Sequence, residues 1–341
     1  MKAVRVHTPG SYSIDEVPFP VCGPRDALVR VAACGICGSD LHFVNWGSLR
    51  ADGLPMALGH EATGIVEAVG SKVDTVTPGM RVFINPTASD GSTIGAGIHD
   101  GAFASHVVVP DAALGKTLLP IPEGVDLARA ALVEPLAVGL HTVNQGKPGP
   151  ETQAAVFGCG PIGLAAVLWL ARRGVRHVVA IDIAEERLAH ARRMGAHATI
   201  NPAKENLQDR LAELHGSAQA ISGSPTVGTD VFYDLAGAPG IIDQISGLAK
   251  FRSRLVVGAI YLNPVPLNFR VLMLREIEMT TVGPYQQDLR DVLAELPEID
   301  PAVLDAYVTG TFPFSEFDNA FAIAKQTSSA KVMITFAPAD A

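Results

Sequence analysis

The stretch VFGCGPIGLAA, residues 156–166, constrains the fold more than any other part of the chain. Gly158, Gly160 and Gly163 stand in a G-x-G-x-x-G spacing, with Pro161 and Ile162 filling the last gap. An apolar run, TQAAVFG, enters it, and a helix-like run, GLAAVLWLARRG, leaves it. The next apolar run, HVVAIDI, carries Asp182, 19 positions beyond Gly163. In that setting the motif reads as a dinucleotide-binding turn. The first glycine allows the tight turn. The second lets the backbone approach a pyrophosphate. The third lets the helix pack on the sheet, with its N-terminus toward the anion. Asp182 would accept hydrogen bonds from the adenosine ribose hydroxyls and repel a 2′-phosphate, so NAD is expected over NADP. Cys159, inside the turn, reads as a small buried residue.

Beyond this unit the runs ATIN, TDVFYDLAG, RLVVGAIY and EIEMTTVG continue an alternation with helix-like segments. One of these, EERLAHARRMGA, sets Leu188, Ala191 and Met194 at helical spacing. Repeated βαβ units imply a mostly parallel sheet with helices on both faces. Residues 1–110 read differently, as short β-like runs (ALVRVAA, ATGIVEAVG, RVFI, FASHVVVP) between Gly- and Pro-rich turns. The turn cluster Lys147-Pro148-Gly149-Pro150 separates the two characters. The expected class is α/β, in three parts: a mostly-β domain over 1–147, a doubly wound parallel-sheet domain over 148–290, and a segment over 291–341. The last strand of that segment, KVMITF, is expected to return to the first domain.

Composition narrows the partners. With 341 residues, 48% hydrophobic and 18% charged, the chain suits a well-buried protein of two domains. Its net charge of −9 and scattered basic residues argue against nucleic acid or an anionic membrane as partner. The start, MKAVRVHTPGS, lacks the apolar core of a signal peptide, and no run reaches the ~18 apolar residues of a membrane helix. Four cysteines without a paired framework suggest a reducing, cytoplasmic setting.

Two of those cysteines, Cys34 and Cys37, lie in ACGICGSDLH, yet there is no second C-x-x-C to close a four-thiolate site. His60 and Glu61 are adjacent in LGHEATG, and Glu134 precedes Pro135 in ALVEPLAV. One thiolate, one imidazole and one or two carboxylates suit a catalytic zinc, which takes three protein ligands and leaves a position for water or substrate. Zn²⁺ with one thiolate, one neutral His and one carboxylate has no net charge. Both carboxylates at once would leave it negative and weaken its polarising power. One carboxylate is therefore expected in direct contact and the other in exchange or behind it; Glu61 and Glu134 both qualify for either place.

The run Gly59-His60-Glu61-x-x-Gly64-x₅-Gly70-x-x-Val73 resembles, position by position, the signature of the zinc-dependent medium-chain alcohol dehydrogenases. CGICGSDLH and EPLAV resemble their polyol (sorbitol/L-idonate) dehydrogenase branch, and the likeness covers essentially the whole chain. It implies a GroES-like catalytic domain and a Rossmann NAD-binding domain. It also implies reversible oxidation of an alcohol to a ketone or aldehyde, with zinc as Lewis acid on the substrate oxygen and hydride passing to NAD. On this resemblance Cys37 and His60 bind zinc and Cys34 does not. Ser39 resembles the family's hydroxyl relay, His42 its exit base, and Asp40 a carboxylate that orients a ligand. Arg187 matches a base at the adenosine ribose, and Lys331 a basic residue near the pyrophosphate. Val257, opening VGAIY, lies where the family passes the nicotinamide. Many relatives carry a four-cysteine lobe for a second, structural zinc between about Asn85 and His106. That region holds no cysteine here, and His99 with Asp100 cannot close a site, so one zinc per chain is expected.

The substrate is less sharply drawn. Phe43 and Trp46 could line an apolar pocket. Where polyol relatives place a sugar-binding arginine, GPYQQ places Gln286, which favours a less polar secondary alcohol over a charged sugar acid. The resemblance implies a homodimer or homotetramer. Two other readings compete: a zinc-free NAD(P)H-dependent quinone or enone reductase of the same superfamily, whose members lack the Cys and His ligands, and a non-catalytic NAD-binding protein.

Overall fold

The alternating apolar runs of the second half become a six-stranded parallel sheet. Its spatial order is Ala198–Ile200, His177–Ile181, Gln153–Phe157, Val231–Asp234, Arg254–Val257 and Glu278–Thr281. The inner strands are buried along nearly their whole length, as expected for strands covered on both faces. The order reverses between Gln153–Phe157 and Val231–Asp234, and a ligand crevice forms beyond strand ends at such a switch. From Gly160 the helix Pro161–Arg172 departs, with proline in its first turn, where no backbone donor is lost. The computed structural model describes residues 1–87, 94–96, 100–220, 223–283 and 285–337. Among these no helix is long and apolar enough to cross a membrane.

The first half forms a mainly antiparallel sheet in the order Val308–Pro313, Lys331–Thr335, Ala27–Ile36, Glu61–Val69, Arg81–Ile84 and Leu118–Pro120, with His106–Val109 also pairing Ala27–Ile36. A small sheet of Tyr12–Glu16, Lys2–Val6 and Met56–Ala57 accompanies it. The closing strand pairs Ile334 with Cys34 and Met333 with Gly35. It is this pairing that brings the far end of the chain to the segment bearing Cys37.

Two compact units result. One comprises Met1–Glu134, Gln286–Leu304 and Val308–Ala341; the other comprises Pro135–Tyr285 and Asp305–Tyr307. The helix Val133–Gly146 thus belongs mostly to the parallel-sheet unit, although it precedes the turn cluster at 147–150. The reason is local: Trp169 Nε1 donates to Leu136 O at 2.8 Å, tying that helix to Pro161–Arg172. Conversely, the helix Gln286–Glu295 sits with the antiparallel unit, where Arg290 Nη2 donates to Gly115 O at 2.6 Å.

Candidate functional site

Cys37 follows the strand Ala27–Ile36 and caps the helix Gly38–Trp46, whose third residue, Asp40, turns back so that its Oδ2 accepts the Cys37 N–H at 2.8 Å. This reciprocal cap fixes the thiol's direction. His60 and Glu61 open the strand Glu61–Val69, paired to Ala27–Ile36 with Gly35 opposite Glu61. Gly35 is needed there, because a Cβ on it would lie 2.0 Å from Glu61 Oε2. The register therefore brings Cys37, His60 and Glu61 to one corner, where one donor atom of each lies within 4.8 Å of the others. Glu134 is 4% exposed, in the first turn of Val133–Gly146. It stands outside that triangle, but its charge acts on both His60 and Lys331.

The corner is dense with buried charge. Glu61 and Asp40 are fully buried. Burial lifts Asp40 to about 6, against the pull of His60 and the Cys37 N–H. Burial alone would lower His60, but its hydrogen bond with Cys37 and the charges of Cys37, Asp40 and Glu134 draw it well above the ordinary histidine value. Asp40 Oδ1 and His60 Nδ1 face each other at 3.7 Å, beyond hydrogen-bond reach, and neither has a partner among the described residues. A small rotation would close this gap. A histidine whose Nδ1–H is held by a carboxylate presents the Nε2 lone pair to a metal. Thiolate, imidazole and carboxylate, converging and otherwise costly to bury, fit a zinc ion.

Lys331 corrects one expectation. It is not free for a pyrophosphate: its Nζ donates to both oxygens of Glu61 at 2.7 Å and to Ile36 O at 3.1 Å, using all three donors. Burial opposes its charge, yet Glu61 and Cys37 hold its pKa above the ordinary lysine value. The antiparallel return of the last strand sets it there, and nothing local in KVMITF marked it beyond a lysine at the head of an apolar strand.

The remaining expected residues fall as follows. Cys34 is fully buried, its thiol against Gly35 O at 3.6 Å, and burial pushes its pKa well up, so it stays a thiol outside the donor triangle. Ser39 and His42 ride the helix Gly38–Trp46, and the His42 ring stacks on Trp46 with centroids 5.6 Å apart. Phe43 packs edge-on to Trp46. Asp100 pairs with Arg5 at 3.1 Å, while His99 lies outside the described residues.

In the parallel-sheet unit, Gly158, Gly160, Asp182 and Arg187 line a cavity of about 400 Å³ at the switch point. Gly163 is demanded by the fold, because a Cβ on it would lie 1.8 Å from Gly158 O. Gly160 is not, since a Cβ there would meet nothing within 4 Å. Its bareness leaves room in the cavity, as a closely approaching pyrophosphate requires. Asp182 does double duty. Its Oδ2 accepts the Cys159 N–H at 2.7 Å and its Oδ1 the Ala184 N–H at 2.9 Å, and each oxygen keeps a lone pair for a ribose hydroxyl. Val257 ends its strand between Asp234 and Thr281.

Comparison with known proteins agrees with this geometry. Residues 23–123 match the alcohol dehydrogenase GroES-like domain, and residues 161–298 match the zinc-binding dehydrogenase domain. The chain is 30% identical to sorbitol dehydrogenase of Rattus norvegicus, over 98% of this chain and 96% of that one. It is 29% identical to L-threonine 3-dehydrogenase of Anaeromyxobacter dehalogenans over 95% of each. The crystal structure of 2R,3R-butanediol dehydrogenase from Bacillus subtilis superposes with a TM-score of 0.86 at 26% identity, over 98% of this chain and 99% of that one. The signature around His60, the donor triangle and the two domain matches lead to one conclusion: the chain belongs to the zinc-dependent medium-chain alcohol dehydrogenase family.

Proposed function

We propose that this enzyme is an NAD-linked dehydrogenase of secondary alcohols or polyols, working with one zinc held by Cys37, His60 and Glu61. The observation that carries the reading is the buried donor triangle backed by Lys331. Zinc held there would supply Lewis acidity to the substrate oxygen, and a bound nicotinamide would supply the hydride acceptor. The chain's own residues do the rest. Asp40 holds the Cys37 backbone and faces His60. Lys331 offsets the charge of Glu61. That offset revises the charge count: with the ammonium present, a thiolate and both carboxylates around Zn²⁺ sum to zero. Glu134 can therefore approach without making the ligand set negative, Asp40 remaining outside that set beside His60, and it serves as the exchanging carboxylate. Ser39 and His42, on successive turns of one helix, carry the released proton outward.

Asp182 supports NAD over NADP, since a 2′-phosphate would meet a buried carboxylate. Exposed Ile260, Leu262, Phe269 and Met273, near the edge strand Glu278–Thr281, support a homo-oligomer. The zinc-free reductase is not favoured, because the Cys and His ligands its relatives lack are present and converge; the intact ligand set and relay count against the non-catalytic binder. Elemental analysis of chelator-free protein should give one zinc per chain, with NADH formed from a secondary alcohol. Cys37→Ser should lose the zinc and the turnover while keeping NAD binding. Turnover that survives the loss of zinc would move the reading to the zinc-free reductase.

A further inference from the structure

A second cavity, of about 270 Å³, lies in the antiparallel unit and is lined by Asn85, Lys116, Gln286, Gln287 and Arg290. Among the described residues that line it are two cations and no acid. Neither Lys116 nor Arg290 makes an ion pair among the described residues, in a chain of net charge −9. Arg290 spends one bond on Gly115 O at 2.6 Å and a long one, 3.4 Å, on Gln287 Oε1, leaving the rest of its five donors. Lys116 is held from behind: Asn85, 6% exposed, donates Nδ2 to Lys116 O at 3.0 Å, and its Oδ1 accepts from Thr87. The helix Gln286–Glu295 starts at this cavity, so its first backbone N–H groups add positive potential. Asp288 in that turn is buried and does not line the cavity.

The cavity's place follows from register. Ile84 pairs with Ala62 on one side and with Leu118 on the other, so Asn85 stands one residue beyond, level with Glu61. At the usual strand spacing, Asn85 is about 5 Å and the Lys116 segment about 10 Å from the Glu61 backbone. A short hydroxylated chain spans that interval.

The sequence alone suggested that Gln286, standing where polyol relatives have an arginine, points to a less polar substrate. The structure returns a guanidinium to the same face one turn later, because Arg290 is four residues on. We propose that this cavity is an oxyanion subsite, and that the alcohol oxidised here carries a carboxylate or a phosphate. The inference rests on the dehydrogenase reading above.

The test uses zinc-loaded full-length enzyme with NAD and matched alcohol pairs: a polyol with its phosphate monoester, and a hydroxy acid with its amide. The kcat/KM ratio of anionic to neutral member should exceed about 10. It should fall by about 10- to 100-fold in Lys116→Ala and Arg290→Gln, mostly through KM, the usual scale for a lost charged hydrogen bond. Lys116→Arg should retain the ratio. Merely structural damage would slow both members alike and leave the ratio standing, and that result overturns the subsite. Inorganic phosphate should compete with the anionic member. If it instead altered turnover of the neutral alcohol, and Lys116→Ala abolished that effect, the anion would be a free effector and the substrate assignment would fall. Should no alcohol yield NADH, the dehydrogenase reading fails separately. The subsite is then judged by whether phosphate raises the melting temperature of wild type more than that of Lys116→Ala/Arg290→Gln; equal shifts overturn it.

Discussion

The candidate metal corner of the antiparallel unit and the polar interior of the parallel-sheet unit handle buried charge in different ways. The first buries ions: Glu61 against Lys331, and Asp40 against His60 and Cys37, all in one corner. The second meets its buried acids, Asp182 and Asp234, with backbone N–H and hydroxyl donors, and buries a neutral histidine as well. His215 is 5% exposed, bonded through Nδ1 to Thr229 Oγ1 at 2.7 Å and through Nε2 to His177 Nδ1 at 3.1 Å. Burial, with His177 beside it, lowers its pKa to about 4. A site built to polarise a substrate oxygen must hold charge in place before substrate arrives. A site for a dinucleotide meets a ligand that brings its own charge, and backbone N–H groups and bare glycines, with the hydrogen-bonded carboxylate of Asp182, suffice.

Removing Lys331 should break the first arrangement most severely. Lys331→Met leaves Glu61 a buried carboxylate without its cation, which costs about 3–5 kcal/mol. The loss should be largest in zinc-free protein and partly recovered on adding zinc, because the ion then faces Glu61. Glu61→Gln in the same chain should restore much of the stability. Urea titrations with and without zinc measure this. A variant of unchanged stability whose KM for NAD rose would return Lys331 to the cofactor role that the sequence suggested.

The His215–His177 pair predicts an acid sensitivity of its own. The folded pKa of His215 lies below its unfolded value of 6.5, so the unfolded chain takes up the proton first. Its contribution is complete above pH 6.5 and is lost as pH falls toward 4, by up to about 3 kcal/mol. Asp230, Lys250 and His177 all act on the ring, and Asp230 alone opposes the shift. His215→Gln should flatten the fall in melting temperature between pH 6.5 and 4.5. An unchanged slope would mean that the corner around Asp40, not this cluster, governs acid stability.

The two sites also differ in how far sequence exposes them. The candidate dinucleotide cavity was legible because its parts are local: residues 153–187 run strand, turn, helix, strand and into the next helix, and Gly158 and Gly163 each have a backbone reason. The donors Cys37, His60 and Glu61 were legible as residue types, but their convergence depends on the pairing of Ala27–Ile36 with Glu61–Val69. The bonds of Lys331 to Glu61 were not legible because that partner lies 270 residues away, brought near only by the antiparallel return of the last strand. The Arg290 cavity was missed for a related reason. Attention to position 286 alone overlooks that a helix repeats its face one turn later.

The smallest predicted effect is the most selective. Gly160→Ala adds a methyl group that meets no protein atom within 4 Å, at φ −68 and ψ −177, angles that alanine adopts without strain. The fold should therefore stand, or gain slightly from the stiffer unfolded chain. The same substitution at Gly163 would drive a Cβ to 1.8 Å from Gly158 O and must cost stability. If Gly160 is bare for the ligand's sake, its variant should bind NADH about 10-fold more weakly by fluorescence titration, about 1.4 kcal/mol, with its melting temperature intact. Gly163→Ala should lose melting temperature first, and affinity only as a consequence. If both variants lost stability alike, or both kept their affinity, the cavity at the switch point would owe its shape to packing alone, and the distinction between a site made of charges and a site made of room would not hold.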